Sequence, residues 1–466
     1  MCIRDSLYVQ LGRAYELNSE LEKARATYSE MLTCAKARSE PEMECAALNR
    51  LATVTAHDAV NVAKAKELLR QALQIAESSN DMAGLAETEW TMALMHLYSF
   101  DWEATHAYGE RALAHARSLE LLELTALSLN VIAHAEMGLA AWTQAESHAE
   151  EARAVFAHLS NRAMEVDCLC LVAHAHLHRG QIQSGINTAQ TAYDFSLEIA
   201  NAWGQVLSAV YLTQGLLEAG AYTDALEVAQ KAVTTARTLR FTPLRILSLT
   251  MLGNVQQALF QLEHARTAYL EALSLSEGLG LRLYSETITA ALCMNYTLMG
   301  DWAEAHTYAL QALATRDYVV MLPTGITRWY ETEALLRGGD DKLAREDVQR
   351  FGERVKESKR FRIPYLRASA VLACWQNEPH IALSCLHEAA ALAEELSLPG
   401  EAWQIAATLG ELHQSQSDQS QAQRAFRRAT RIMQELVGPI GDEAQRVTFL
   451  EAPQIRRVLE HGSSDR

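Results

Sequence analysis

Residues 252–272 read LGNVQQALFQLEHARTAYLEA, with a small residue at Gly253, a second twelve positions on at Ala265 and a third seven further at Ala272. Apolar side chains at spacings of three, four and seven place one face of a helix on each side of Gln261, so the stretch spans the turn of a helical hairpin. The same register runs through the chain. Taking Ala265 as anchor, its counterparts are Ala24, Ala65, Thr105, Ala145, Gly185, Ala225, Ala305, Ala344, Ala382 and Ala422, at intervals of 38 to 41 residues. Twelve positions before each anchor stands a small residue, from Gly12 and Thr53 to Ala370 and Gly410. Seven after it stands alanine, except for Met31 and Phe351. Small residues recurring at two fixed points mean that the backbones of paired helices cross closely there. No segment alternates with the two-residue period of a strand, so an all-α fold of about eleven antiparallel helix pairs is expected.

Gly180, Gly220, Gly300-Asp301, Gly338-Gly339 and Asp101 fall where the two helices of a pair must turn, and Pro41, Pro243, Pro323 and Pro399 fall near first-helix starts. Both placements suit the unpaired backbone groups of helix ends. Leu11-Gly12-x2-Tyr15 followed by Ala24-x3-Tyr28, Leu252-Gly253 followed by Ala265-x3-Tyr269, and Leu409-Gly410 followed by Ala422-x3-Phe426 carry a resemblance to the tetratricopeptide repeat (TPR). The resemblance covers residues 7–436. The period exceeds the usual ~34 residues by about six, which resembles the long-helix arrays of MalT-like regulators. The resemblance implies a right-handed superhelical solenoid whose first helices line a concave groove.

The ends depart from the register. Residues 1–6 (MCIRDS) fit no repeat column and read as a non-native start to a fragment of a longer protein, whereas residues 437–466 are expected to form a capping helix and tail.

Composition narrows the function. With 466 residues, 49% apolar and 21% charged, the chain is long enough for several domains' worth of core, and it lacks both a membrane-length apolar run and a secretory leader. No membrane association and a cytoplasmic location are therefore expected. A net charge of −17 argues against direct nucleic-acid binding. The eight cysteines form no CxxC pair and read as reduced thiols. There is no P-loop, HExxH or GxSxG, so neither an enzyme nor a cofactor is expected. One cluster has ligand-like spacing. Cys170, His174 and His178 share a helical stripe with Asp167 just before it, a candidate metal site to which His134 is able to add a ligand. Ordinary packing and groove-facing polar residues are the competing explanation.

By the offsets that the resemblance implies for the groove, its lining includes Arg50, His57, Asp58, Glu87, Trp90, Tyr98, Asn130, His134, Asp167, His174, His178, Gln214, Glu218, Asn254, Gln257, Trp329 and Glu333. Amides and imidazoles hydrogen-bond a peptide backbone, and Trp90, Tyr98 and Trp329 offer flat apolar anchors. Two basic runs, nine Lys or Arg against four acids in residues 342–367 and Arg424, Arg427, Arg428 and Arg431 in the last pair, are expected on solvated helix faces. Docking to an acidic partner, or to the acidic groove of another copy, is the alternative. The resemblance thus points to a non-catalytic sensor module, the C-terminal TPR portion of a larger bacterial signal-transduction ATPase or transcriptional regulator. Its groove would take a protein, a peptide or a small inducer, and an effector domain would lie upstream. A stand-alone adaptor and a metal-binding protein are the alternatives.

Overall fold

A residue in the left-handed backbone region recurs at every twentieth position over much of the chain: Phe100, Glu120, Ala140, Ser160, Gly180, Ala200, Gly220, Phe260, Gly280 and Gly300 all have positive φ. Each ends a helix, and the intervening stretch leaves room for a helix of about seventeen residues and a short turn. Several helices then restart at a carboxylate or amide cap, as where Asp81 accepts from the Gly84 N–H and Asn201 from the Gly204 N–H.

The computed structural model describes residues 3–17, 20–56, 62–239, 241–316, 328–355 and 358–462, among which there are helices and no strand. Two compact units are present, residues 1–171 and 172–466. The first contains α1 (Ile3–Leu17), α2 (Leu21–Arg38), α3 (Pro41–Ala56), α4 (Val62–Ser79), α5 (Met82–Leu97), α6 (Trp102–Ser118), α7 (Leu122–Gly138), α8 (Trp142–His158) and the start of α9 (Arg162–His178). From the end of α9 the second unit continues with α10 (Ile182–Glu198), α11 (Ala202–Glu218), α12 (Tyr222–Ala236), α13 (Thr242–Ala258), α14 (Leu262–Gly278), α15 (Arg282–Met299) and α16 (Trp302–Thr315). It is completed by α17 (Arg328–Gly338), α18 (Asp341–Val355), α19 (Lys359–Trp375), α20 (Pro379–Glu395), α21 (Pro399–Ser415), α22 (Gln419–Val437), α23 (Glu443–Glu451) and α24 (Pro453–Gly462). The eleven anchors fall one to each even-numbered helix from α2 to α22, and the fold is an all-α, TPR-like solenoid of paired helices. The expected terminal helix is interrupted at Ala452. Pro453, which lacks an N–H, opens α24 where no intrahelical donor is needed. Residues 1 and 2, His57, Asp58 and Pro323 lie outside the described residues, as do the side chains of residues 3–6.

The small columns are the core. Every anchor is buried, and so is every residue twelve positions before one, except Thr53. Their sizes compensate. A Cβ on Gly12 would stand 2.3 Å from the Tyr28 ring, one on Gly253 2.5 Å from Tyr269, and one on Gly410 2.8 Å from Phe426. Glycine faces an aromatic ring in these three pairs, whereas pairs with Ala133 and Ala173 at that position carry the small Ala149 and Ala189 four residues after their anchors. A ring at the crossing thus requires glycine opposite it.

Within the second unit the later hairpins close back on the earlier ones. Leu396 sits against Gly180 and Leu436 against Gly220. Further along, Phe260 meets the Phe449 ring edge-on at 5.4 Å, and Gln454 Nε2 donates to the Leu298 carbonyl at 2.8 Å. Turns that follow one another along the chain therefore rest on segments of the last two hairpins and of α23 and α24, and one apolar cluster runs from Leu177 to Val458.

Gly220 and Gly300 separate backbone strain from contact. Both have φ near +80°, but a Cβ on Gly220 would meet Leu436 Cδ2 at 2.3 Å while one on Gly300 meets nothing within 4 Å. Gly300→Ala is expected to cost about 1 kcal/mol, the left-handed penalty alone, and Gly220→Ala about 1–3 kcal/mol more from overpacking. Urea denaturation of the two variants checks the difference, and equal losses would show that the Leu436 contact contributes nothing.

Candidate functional site

In the first unit a row of side chains crosses from helix to helix along the odd-numbered members. On α3, Arg50 donates from Nη2 to Glu87 Oε1 of α5 at 2.9 Å. The cap at Asp81 fixes the start of α5, so Glu87, Trp90, Leu94 and Tyr98 follow at helical spacing along one stripe, Trp90 half-buried and Tyr98 42% exposed. On α7, Asn130 is buried and donates from Nδ2 to Asp167 Oδ2 of α9 at 2.8 Å. His134 Nε2 reaches the same oxygen at 3.5 Å.

Burial opposes charge on Asp167, but the hydrogen bond and positive charge of His134 and the amide of Asn130 outweigh it and hold the carboxyl below its ordinary range. It is a carboxylate at neutral pH. Desolvation by the surrounding protein, then the negative charge of Asp167, push the Tyr98 phenol up to about 12, so it stays protonated.

In the second unit the corresponding positions are engaged by the chain itself. His174 stacks on Tyr211 at 4.5 Å, and His178, only 2% exposed, lies 5.4 Å from Phe361 of α19. Burial, reinforced by the charge of Arg360, pushes His178 down to about 3, so it is neutral at any physiological pH. Gln214 and Gln257 are 5% and 4% exposed. Asn254 accepts from the Tyr269 hydroxyl at 2.8 Å, Glu333 accepts from Arg337 at 2.8 Å, and the Trp329 ring lies 3.9 Å beneath the Arg367 guanidinium.

Two arginines of the basic run correct the expectation of a solvated face. Arg360 and Arg367 are each 4% exposed. Arg360 donates from Nε to Glu218 Oε2 of α11 at 2.7 Å and lies 3.4 Å from Glu401. Arg367 pairs with Glu401 and donates to Gln404 Oε1 at 2.9 Å. Their counter-charges lie 34 to 142 residues away, beyond the reach of any local spacing rule. Lys342, Arg345, Arg350, Arg354 and Lys359 are exposed.

The Cys170, His174, His178 stripe does not assemble a metal centre: among the described residues no three His, Cys, Asp or Glu side chains are grouped to hold an ion. No helix of the described residues is long and apolar enough to cross a membrane.

Sequence spacing also missed a set of carboxylate–imidazole pairs in the first unit. Buried Glu89 meets His115 Nδ1 at 2.8 Å, and buried Glu136 meets His148 Nδ1 at 2.8 Å with His106 Nε2 at 3.8 Å. Each joins one helix to another and leaves no motif in the chain. The hydrogen bond to Glu136 raises the His148 pKa above its ordinary value. A raised folded-state histidine pKa adds stability that is fully present below the unfolded value of about 6.5 and is lost as pH rises through the folded value. Chemical denaturation is expected to show the wild type losing more stability than His148→Gln between pH 5.5 and pH 8; matching pH profiles would exclude the pair as a source.

No protein-family model matches the sequence, and no curated protein matches it. One solved structure shares the fold and others are similar to the chain. A Rap protein complexed with Competence and Sporulation Factor is 13% identical, with a TM-score of 0.50, over 85% of this chain and 99% of that one. The Rap conjugation gene regulator of plasmid pLS20, in complex with the Phr* peptide, is 12% identical over 74% and 97%, with a TM-score of 0.49. A signal transduction ATPase with numerous domains and a tetratricopeptide repeat sensor, from Pyrococcus horikoshii, is 13% identical over 71% and 52%, with a TM-score of 0.44.

Proposed function

We propose that the chain is a non-catalytic sensor and partner-binding array, acting as the C-terminal portion of a larger bacterial signalling or transcriptional regulator. A peptide or extended protein segment lies along the row from Arg50 to Asp167 on α3, α5, α7 and α9. The carrying observation is the contrast at the position seven residues before the anchor, where Tyr98 is 42% exposed and His178 only 2%. Exposed aromatics beside fixed polar groups are what an anchor-and-backbone mode of recognition uses. The complex of a Rap protein of the same fold with Competence and Sporulation Factor supports a binding role. His174, Asn254, Trp329 and Glu333 belong to the same row by repeat position, and we assign them to maintaining the closed second unit. A cytoplasmic location without direct nucleic-acid contact accords with the net charge of −17.

Selection from a displayed peptide library on the full chain tests the binding role. Trp90→Ala is expected to weaken a selected peptide about 10-fold or more, the ordinary loss at an aromatic anchor, with the helical circular dichroism unchanged. Undiminished binding would remove this face from the reading.

The regulator assignment has its own test in the source DNA. A reading frame continuing upstream of Leu7 into a nucleotide-binding domain is expected. A genuine start codon just before Leu7 would leave a stand-alone adaptor instead.

A further inference from the structure

The charge of the chain is concentrated where the proposed row lies. Residues 82–171 carry 13 Asp+Glu against 4 Lys+Arg, more than half of the net −17 in under a fifth of the length. A field of that sign raises the local concentration of cationic groups, but a field alone selects no position. Asp167 supplies one. Its Oδ2 is held by Asn130 at 2.8 Å and His134 at 3.5 Å, whereas Oδ1 accepts no hydrogen bond from any described residue. The carboxylate is thus oriented by two neighbours and keeps one acceptor available. Tyr98, which belongs to the same row by repeat position, has 42% of its surface in solvent. An oriented carboxylate with an oxygen available, set in an acidic field, suits an ammonium or guanidinium group, which pairs with it through a charge-assisted hydrogen bond.

We propose that this face recognises a cationic side chain, arginine or lysine, in its peptide partner, with Asp167 Oδ1 accepting the hydrogen bond. The proposal rests on the reading of the row as a peptide site and adds the ligand's charge class to it. Asn130 and His134 are positioning residues, since they fix the carboxylate and leave the free oxygen to the partner.

Three fluorescein-labelled nonapeptide pools, with Arg, Gln or Glu fixed at the centre and no other charged residue, test it by anisotropy with the full chain. The Arg pool is expected to bind at least 10-fold more tightly than the Gln pool. That preference should fall to within twofold in Asp167→Asn and persist in Glu103→Gln, an exposed acid on α6. Asparagine nearly matches aspartate in volume, and thermal denaturation of both variants verifies folding. An Arg preference that survives in Asp167→Asn would overturn the proposal in favour of the diffuse field. Gln or Glu pools that bind equally well, and lose binding in Trp90→Ala, would overturn the cation preference while leaving the peptide site standing. Absence of Trp90-dependent binding in every pool would remove both.

Discussion

The rest of the structure depends on how closely two helices of a pair can cross. The position twelve residues before each anchor and the position four residues after it lie at the crossing, and the sequence fills them differently along the array. Gly12 with Tyr28, Gly253 with Tyr269 and Gly410 with Phe426 pair a ring with the one residue that leaves it room. Elsewhere both positions are small, as with Ala133 and Ala149 or Ala173 and Ala189. A Cβ opposite a ring would overpack the crossing.

A second regularity, one left-handed residue per turn, makes the closure of the second unit possible. Left-handed backbone is strained for residues with a Cβ, yet Phe100, Glu120, Ala140, Ser160, Ala200 and Phe260 adopt it. At Gly180 and Gly220 the absent Cβ serves a further purpose, because Leu396 and Leu436 occupy the space it would fill. Glycine at these two turns permits segments more than two hundred residues apart to meet.

Closure changes what one repeat position means. In the first unit the row holds Trp90, Tyr98 and a carboxylate one of whose oxygens accepts from no described residue. In the second it holds a buried Gln214 together with His178 and Glu218, which meet Phe361 and Arg360 of a later hairpin. Buried pairs such as Arg360 with Glu218 and Arg367 with Glu401 carry a desolvation cost that offsets much of their Coulombic attraction, while removing one partner strands the other. They suit the fixing of one arrangement better than the addition of net stability. The division of labour, one stretch accessible and one sealed, follows from which acids and arginines the fold brings together.

By itself the sequence determined the all-α class, the eleven pairs and the identity of the crossing residues, because each of these rests on spacing within about forty residues. It also set Glu87, Trp90 and Tyr98 along one stripe of a single helix, since a helical stripe is a local property. Only the tertiary structure decided that Asn130 and His134 share a single oxygen of Asp167, that Glu136 lies between two imidazoles, and that Arg360 is buried against Glu218 rather than solvated. The reason is physical. Charge and polarity act through distance in space, and a contact between residues 218 and 360 leaves no trace in the period of either helix.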